Sequence, residues 1–238
     1  GGQGYSVYLR RTDDSPPVRL GDGQPTSLSA DGEWALAIEH GDEPRLVMLP
    51  TGAGQPVTLP RGSIAQYRWA WFLPGGQRIV VEGGEAGRQR RLFVQDLPAG
   101  TPTALTPEGT TAPRSNAILP DGSAVTATCN APTPTWCLYS LSGGPPRPIP
   151  GLLPGEQPIR WSPDGRAVFV VSVQSPAAAR IVRLDVASGK RETWREIGPV
   201  DPSGVGGIRD VFITADGRVH AYHYRRTLAE LLIVRGAR

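Results

Sequence analysis

The chain has 238 residues, enough for a large core in one domain, and a formal net charge of only +3. Its basic residues are almost all arginine, since Lys190 is the only lysine, and they never run more than two in a row. We therefore expect no nucleic-acid binding, which needs a clustered basic face. Because no apolar run approaches the ~20 residues of a membrane helix, we also expect no membrane contact within this segment.

One turn pattern occurs five times among the many glycines and prolines of the chain. The copies are Ser29-Ala30-Asp31-Gly32, Leu73-Pro74-Gly75-Gly76, Leu119-Pro120-Asp121-Gly122, Ser162-Pro163-Asp164-Gly165 and Thr214-Ala215-Asp216-Gly217. Their final glycines are between 43 and 52 residues apart. A period of this length is typical of propeller blades built from four strands.

Each turn is flanked by two columns of mostly apolar residues. In the fourth copy, Pro163 suits the second position of a type I turn, and Gly165 suits the left-handed position that follows. The column four residues before the turn glycine contains Leu28, Phe72, Ile118, Trp161 and Ile213. The column three residues after it contains Ala35, Ile79, Val125, Val168 and His220. Each copy therefore predicts a strand, a tight turn and a second strand.

The repeats predict an all-β fold, a β-propeller of four-stranded antiparallel blades in a single domain over 1–238. A partial first blade covers 5–20, and the repeats cover about 24–60, 66–106, 114–150, 157–197 and 208–238. The last repeat supplies strands at 208–213, 218–224 and 230–235. This count favours most of a six-bladed ring. The alternative is a compact five-bladed closure in which the N-terminal strand completes the last blade.

Three stretches resemble a known group of bacterial proteins. The hairpin at 160–171 and the strand and turn at 181–190 resemble TolB-like, WD-repeat-related propellers, and the ending at 222–231 is similar to the C-terminal end of such propellers in membrane-anchored serine/threonine kinases. The resemblance implies a sensor or protein-interaction module in a larger membrane-anchored protein. Blade two departs from the pattern, because Gly75 replaces the turn aspartate. The 238 residues contain no kinase motif.

The two cysteines, Cys129 and Cys137, flank the loop between the second and third strands of one blade. Residues in such positions can face each other within disulfide reach. A bridge there would indicate an oxidising, extracytoplasmic compartment, periplasmic or cell-surface. The alternative is a pair of small buried thiols.

Catalytic and metal sites are poorly supported by the sequence. His220 and His223 lie three apart on one predicted strand, which places them on opposite faces, and His40 is distant in sequence. No Gly-x-Ser-x-Gly elbow is present. We therefore expect no metal, no cofactor and no enzymatic activity. The alternative is a hydrolase or lyase that uses His220 or His223 with nearby carboxylates in the central channel.

A polar column lies eight residues before each turn glycine, where the chain enters the innermost strand of a blade. Its members are Gln24, Arg68, Arg114, Gln157 and Arg209. In a closed propeller these side chains would ring one mouth of the channel, and converging guanidinium groups suit an anion. We therefore predict a non-enzymatic binding module whose channel mouth takes a protein or peptide partner or a small anionic ligand.

Overall fold

The structure, a computed structural model, describes residues 4–11, 13–115, 118–130, 134–214 and 216–229. Within these ranges the chain forms strands and no helix, so no helix could span a membrane there. The chain divides into two compact units, unit 1 over Gly1–Ile149 and unit 2 over Pro150–Arg238. The predicted all-β class is confirmed.

Unit 1 contains four sheets that follow one another along the chain. The first pairs β1 (Ser6–Leu9) with β2 (Val18–Asp22). The second is β3 (Gln24–Leu28), β4 (Trp34–Glu39), β5 (Arg45–Pro50) and β6 (Val57–Thr58). The third is β7 (Ile64–Phe72), β8 (Arg78–Glu85), β9 (Arg91–Asp96) and β10 (Thr103–Ala104). The fourth is β11 (Ala124–Cys129), β12 (Thr135–Ser140) and β13 (Arg147–Pro148).

Unit 2 contains two further sheets. A four-stranded sheet is formed by β14 (Gln157–Trp161), β15 (Ala167–Ser175), β16 (Ala178–Asp185) and β17 (Arg191–Ile197). A two-stranded sheet pairs β18 (Val205–Ile213) with β19 (His220–Arg226). The strand predicted at 230–235 lies outside the described residues. All strand pairs are antiparallel, as the repeat pattern predicts.

The five repeated turns form as predicted, and each brings the two flanking columns together. The turn glycines have φ values between 67° and 76°, and each N–H donates to the carbonyl three residues earlier. The residue four before the glycine pairs directly with the residue three after it in every copy, as in Trp161 with Val168. In the third copy this pair, Ile118 and Val125, is an isolated bridge, so the first strand predicted from 114 is shorter than expected.

The turn aspartates are fixed by local hydrogen bonds. Asp164 Oδ1 accepts from Ser162 Oγ at 2.6 Å and from the Arg166 N–H at 3.0 Å. These two bonds, the hydroxyl bond above all, lower the pKa of Asp164. Blade two has a different turn, because Gly75 at φ 87° takes the left-handed third position of a type II turn. The absence of aspartate at position 75 thus follows from backbone geometry.

Successive sheets pack face to face within each unit. In unit 1, one buried cluster joins β4 and β5 to β7 and β8 through Leu36, Leu46 and Ile79, among others. A second cluster joins β7–β9 to β11 and β12 through Trp71, Leu92 and Tyr139. In unit 2, the faces of β14–β16 and β18 meet at side chains such as Phe169 and Ile208. This stacking is typical of propeller blades.

Candidate functional site

The structure places the polar column at one shared register in three blades and departs from it in the other two. Gln24, Gln157 and Arg209 each pair with the residue six after their turn glycine. Arg68 instead lies at a β-bulge, where the register of the ladder shifts between Tyr67 and Trp69. Arg114 precedes the isolated bridge at Ile118, outside any strand.

Arg68 and Arg114 lie beside a buried carboxylate in unit 1 that the sequence analysis did not single out. Glu82 on β8 is only 3 % exposed, and its Oε2 accepts from the Ala112 N–H at 3.4 Å. Burial raises the pKa of Glu82, while the Ala112 N–H and the guanidinium groups of Arg90, Arg68 and Arg114 act against that rise. We call Arg68, Arg90 and Arg114 the arginine cluster.

The surroundings of the arginine cluster position Arg114 and leave the other two side chains accessible. The Arg114 guanidinium lies 5.3 Å from the centre of the Trp69 ring, a cation–π contact. Its backbone carbonyl accepts from Trp71 Nε1 at 3.3 Å. Arg68 and Arg90 are exposed. The cluster therefore combines two exposed arginines and the half-buried Arg114 with the buried carboxylate of Glu82.

Two further arginines form ion pairs nearby, Arg88 in the loop between β8 and β9 and Arg91 at the start of β9. Arg91 pairs with Glu85, and Arg88 Nη1 lies 3.1 Å from Glu108 Oε1. A hydrogen bond from Ser63 and the pairing with Arg91 lower the pKa of Glu85. The loop is therefore held by charge pairs beside the arginine cluster.

Gln24 has a different environment from the two arginines. Its Oε1 lies 3.0 Å from His40 Nε2, at the end of β4. The adjoining cleft of about 520 Å³ contains four carboxylates and a single arginine: Asp22, Glu39, Asp42, Glu43 and Arg45. The five residues of the polar column therefore have different electrostatic surroundings. Within unit 1, Gln24 lies near carboxylates, whereas Arg68 and Arg114 lie near other arginines.

In unit 2, Gln157 and Arg209 are both exposed, and the two histidines of β19 have separate surroundings. His223 Nδ1 lies 3.8 Å from Asp210 Oδ2, and Asp210 has a φ of 47°. His220 stacks on Tyr222 with ring centroids 6.3 Å apart. No group of three or more His, Cys, Asp and Glu side chains that could hold a metal occurs in the described part of the chain.

A disulfide joins Cys129 and Cys137 in the structure, with Cα atoms 5.9 Å apart. The pairing is diagonal, because Cys137 faces Ala127 and Cys129 faces Thr135 in the ladder. Both cysteines are buried in the cluster between β7–β9 and β11–β12. The disulfide thus links β11 and β12 at the end of the hairpin where the loop joins the two strands.

Comparison with known proteins shows likeness at the level of fold. No protein-family model and no curated protein sequence matches the chain. Solved structures do match, among them a protein assigned as TolB from Agrobacterium tumefaciens, with a TM-score of 0.64 and 15 % identity over 89 % of this chain and 74 % of that one. TolB from Acinetobacter baumannii matches with a TM-score of 0.65 and 16 % identity over 92 % and 59 %.

An enzyme is also among the similar structures. An oligogalacturonate lyase in complex with manganese has a TM-score of 0.60 and 17 % identity over 88 % of this chain and 62 % of that one. The chain thus spans between 59 and 74 % of the length of these three proteins. At such identities the likeness shows the fold and leaves the activity open. The chain has a β-propeller fold of the TolB-like type.

Proposed function

We propose that this propeller is a non-enzymatic binding module that recognises anionic groups through the arginine cluster of unit 1. The observation that supports the proposal is that Arg68, Arg90 and Arg114 all interact electrostatically with one carboxylate, that of the buried Glu82. Arginine pairs with carboxylates through two parallel hydrogen bonds, so an acidic peptide segment of a partner protein is the ligand we favour. Trp69 adds an aromatic surface beside the cations.

The binding module would belong to a larger bacterial receptor-type protein and act as its sensor or scaffold. The similarity of 222–231 to propellers of membrane-anchored serine/threonine kinases supports this part of the proposal. The disulfide and the likeness to TolB proteins support an extracytoplasmic location. The six successive sheets support a six-bladed ring, with five-bladed closure as the alternative.

Isothermal titration of hexaglutamate tests the binding proposal. The double variant Arg68→Gln/Arg114→Gln should bind at least roughly tenfold more weakly than the wild type, because a hydrogen bond to a charged group contributes about 1.5–3 kcal/mol. Arg147→Gln is the matched control, since Arg147 is an exposed arginine of the same unit on the outer strand β13. Equal weakening in the control, or no binding by the wild type, would contradict the proposal.

A second candidate function is an enzyme, a hydrolase or lyase that uses His223. The contact of His223 with Asp210 supports it, because a carboxylate beside an imidazole can orient the ring for proton transfer. The 63 % exposure of the His223 side chain argues for the binding module instead, since proton-transfer sites are usually shielded from water. Loss of a detected hydrolase or lyase activity in His223→Gln would establish the enzyme.

A further inference from the structure

A cleft in unit 2 shares no residue with the arginine cluster and is unused by the function proposed above. It has a volume of about 340 Å³, is open to solvent, and is bounded by β14, β18 and β19. Its lining combines three polar side chains with four apolar ones: Arg160, Thr214 and His220, and Phe212, Ile213, Val219 and Ala221. The space is suited to one or two amino-acid residues rather than to a folded surface.

Arg160 is the unusual member of this cleft. Its side chain is half-buried, yet it makes no hydrogen bond or ion pair with any residue in the described part of the chain. Burial alone lowers the pKa of its guanidinium, without a charged neighbour to oppose the effect. A half-buried cation loses part of its hydration, and no protein group replaces it here, so an anionic ligand would be favoured.

Apart from His220, the rest of the cleft is apolar or already hydrogen-bonded. Phe212 and Val219 both line the cleft and are 41 % and 63 % exposed, so they offer apolar surface to a ligand. The Thr214 hydroxyl donates to Asp216 Oδ1 at 2.6 Å and accepts from the Val219 N–H at 3.0 Å, so it is occupied by the turn. A ligand would therefore meet two polar groups, the Arg160 guanidinium and the His220 imidazole, with an apolar surface beside them.

We propose that this cleft binds the C-terminal carboxylate of a peptide whose last side chain is apolar. The carboxylate would pair with the guanidinium of Arg160, and the last side chain would cover Phe212 and Val219. A guanidinium matches a carboxylate in two parallel hydrogen bonds, which a single amide oxygen cannot reproduce. The open side of the cleft admits the remainder of the peptide chain.

Titration with acetyl-Gly-Gly-Phe, as the free acid and as the C-terminal amide, tests the proposal. The wild type should bind the acid at least roughly tenfold more tightly than the amide, because the charged hydrogen bonds are lost with the amide. Arg160→Gln should remove this difference, and Arg160→Lys should keep part of it. Arg166→Gln is the matched control, an exposed arginine on the hairpin that follows β14.

Equal binding of acid and amide by the wild type would overturn the proposal, and so would undiminished acid binding by Arg160→Gln. The comparison of the two peptides needs no variant, so it remains decisive even where a substitution disturbs folding. Circular dichroism of Arg160→Gln separates loss of the site from loss of the fold. Because removal of a half-buried cation relieves its partial desolvation cost, we expect this variant to be at least as stable as the wild type.

Discussion

Removal of the Cys129–Cys137 disulfide should lower the stability of unit 1 by a predictable amount. The cysteines are eight positions apart. For a loop of that length, the chain-entropy relation gives about 2.5 kcal/mol at 25 °C. For a chain of this size, a loss of about 2.5 kcal/mol in the free energy of unfolding lowers the midpoint of thermal unfolding by roughly 5–10 °C. The strand pairing of β11 and β12 should persist, since six residue pairs hold it.

Thermal unfolding with and without a reducing agent measures this contribution. The double variant Cys129→Ala/Cys137→Ala is the control, because it lacks the bridge and should show no response to the reductant. Both cysteines are buried, at 7 % and 0 % exposure, so alanine also introduces no new polar group into the core. The wild type in reductant and the double variant should unfold at similar temperatures.

Two results would refute the reasoning. One is an equal unfolding midpoint for the wild type with and without reductant. The other is the titration of two free thiols in wild-type protein that was secreted into an oxidising compartment and then denatured without reductant. The second result would also remove the main support for an extracytoplasmic location.

Two other substitutions test the turn and the buried carboxylate. Gly165→Ala should lower the free energy of unfolding by about 1–2 kcal/mol, because alanine is strained at a φ of 67°. A Cβ at this position would meet no atom within 4 Å, so the whole effect comes from the backbone. An unchanged midpoint of urea unfolding would contradict this prediction. Burial raises the pKa of Glu82 in the folded state, so wild-type stability should fall as pH rises above the unfolded-state pKa of about 4.3 and through the folded-state pKa. Glu82→Gln should remove this decline, and parallel pH profiles for the two proteins would contradict the assignment.

The repeat pattern was sufficient to predict the blades and their turns. Trp161 and Val168 belong to the two apolar columns that flank the turns. They face each other across the hairpin, as do their equivalents in the other four copies. This success has a local cause, because the turn fixes the register of the residues next to it. The type II turn at Gly75 shows that even the departure in blade two has a local explanation.

The polar column was less predictable because it lies beyond β-bulges. In β3 and β14 the bulge falls nearer to the turn than in β7, so Arg68 and Gln157 share a sequence position but not a pairing register. Counting residues from a glycine cannot locate such a bulge. One signal was available for Glu82, since it follows Ile79, Val80 and Val81, and a carboxylate continuing an apolar strand indicates a buried charge that requires partners.

The most direct test of the anion-binding account is hydrogen exchange of the wild-type protein with and without hexaglutamate. The account predicts slower amide exchange on peptide binding in the segments that contain Arg68, Arg90 and Arg114, with Arg147 and its strand unchanged. The account would be contradicted if the peptide left amide exchange in those three segments unchanged, or slowed it only in other parts of the chain.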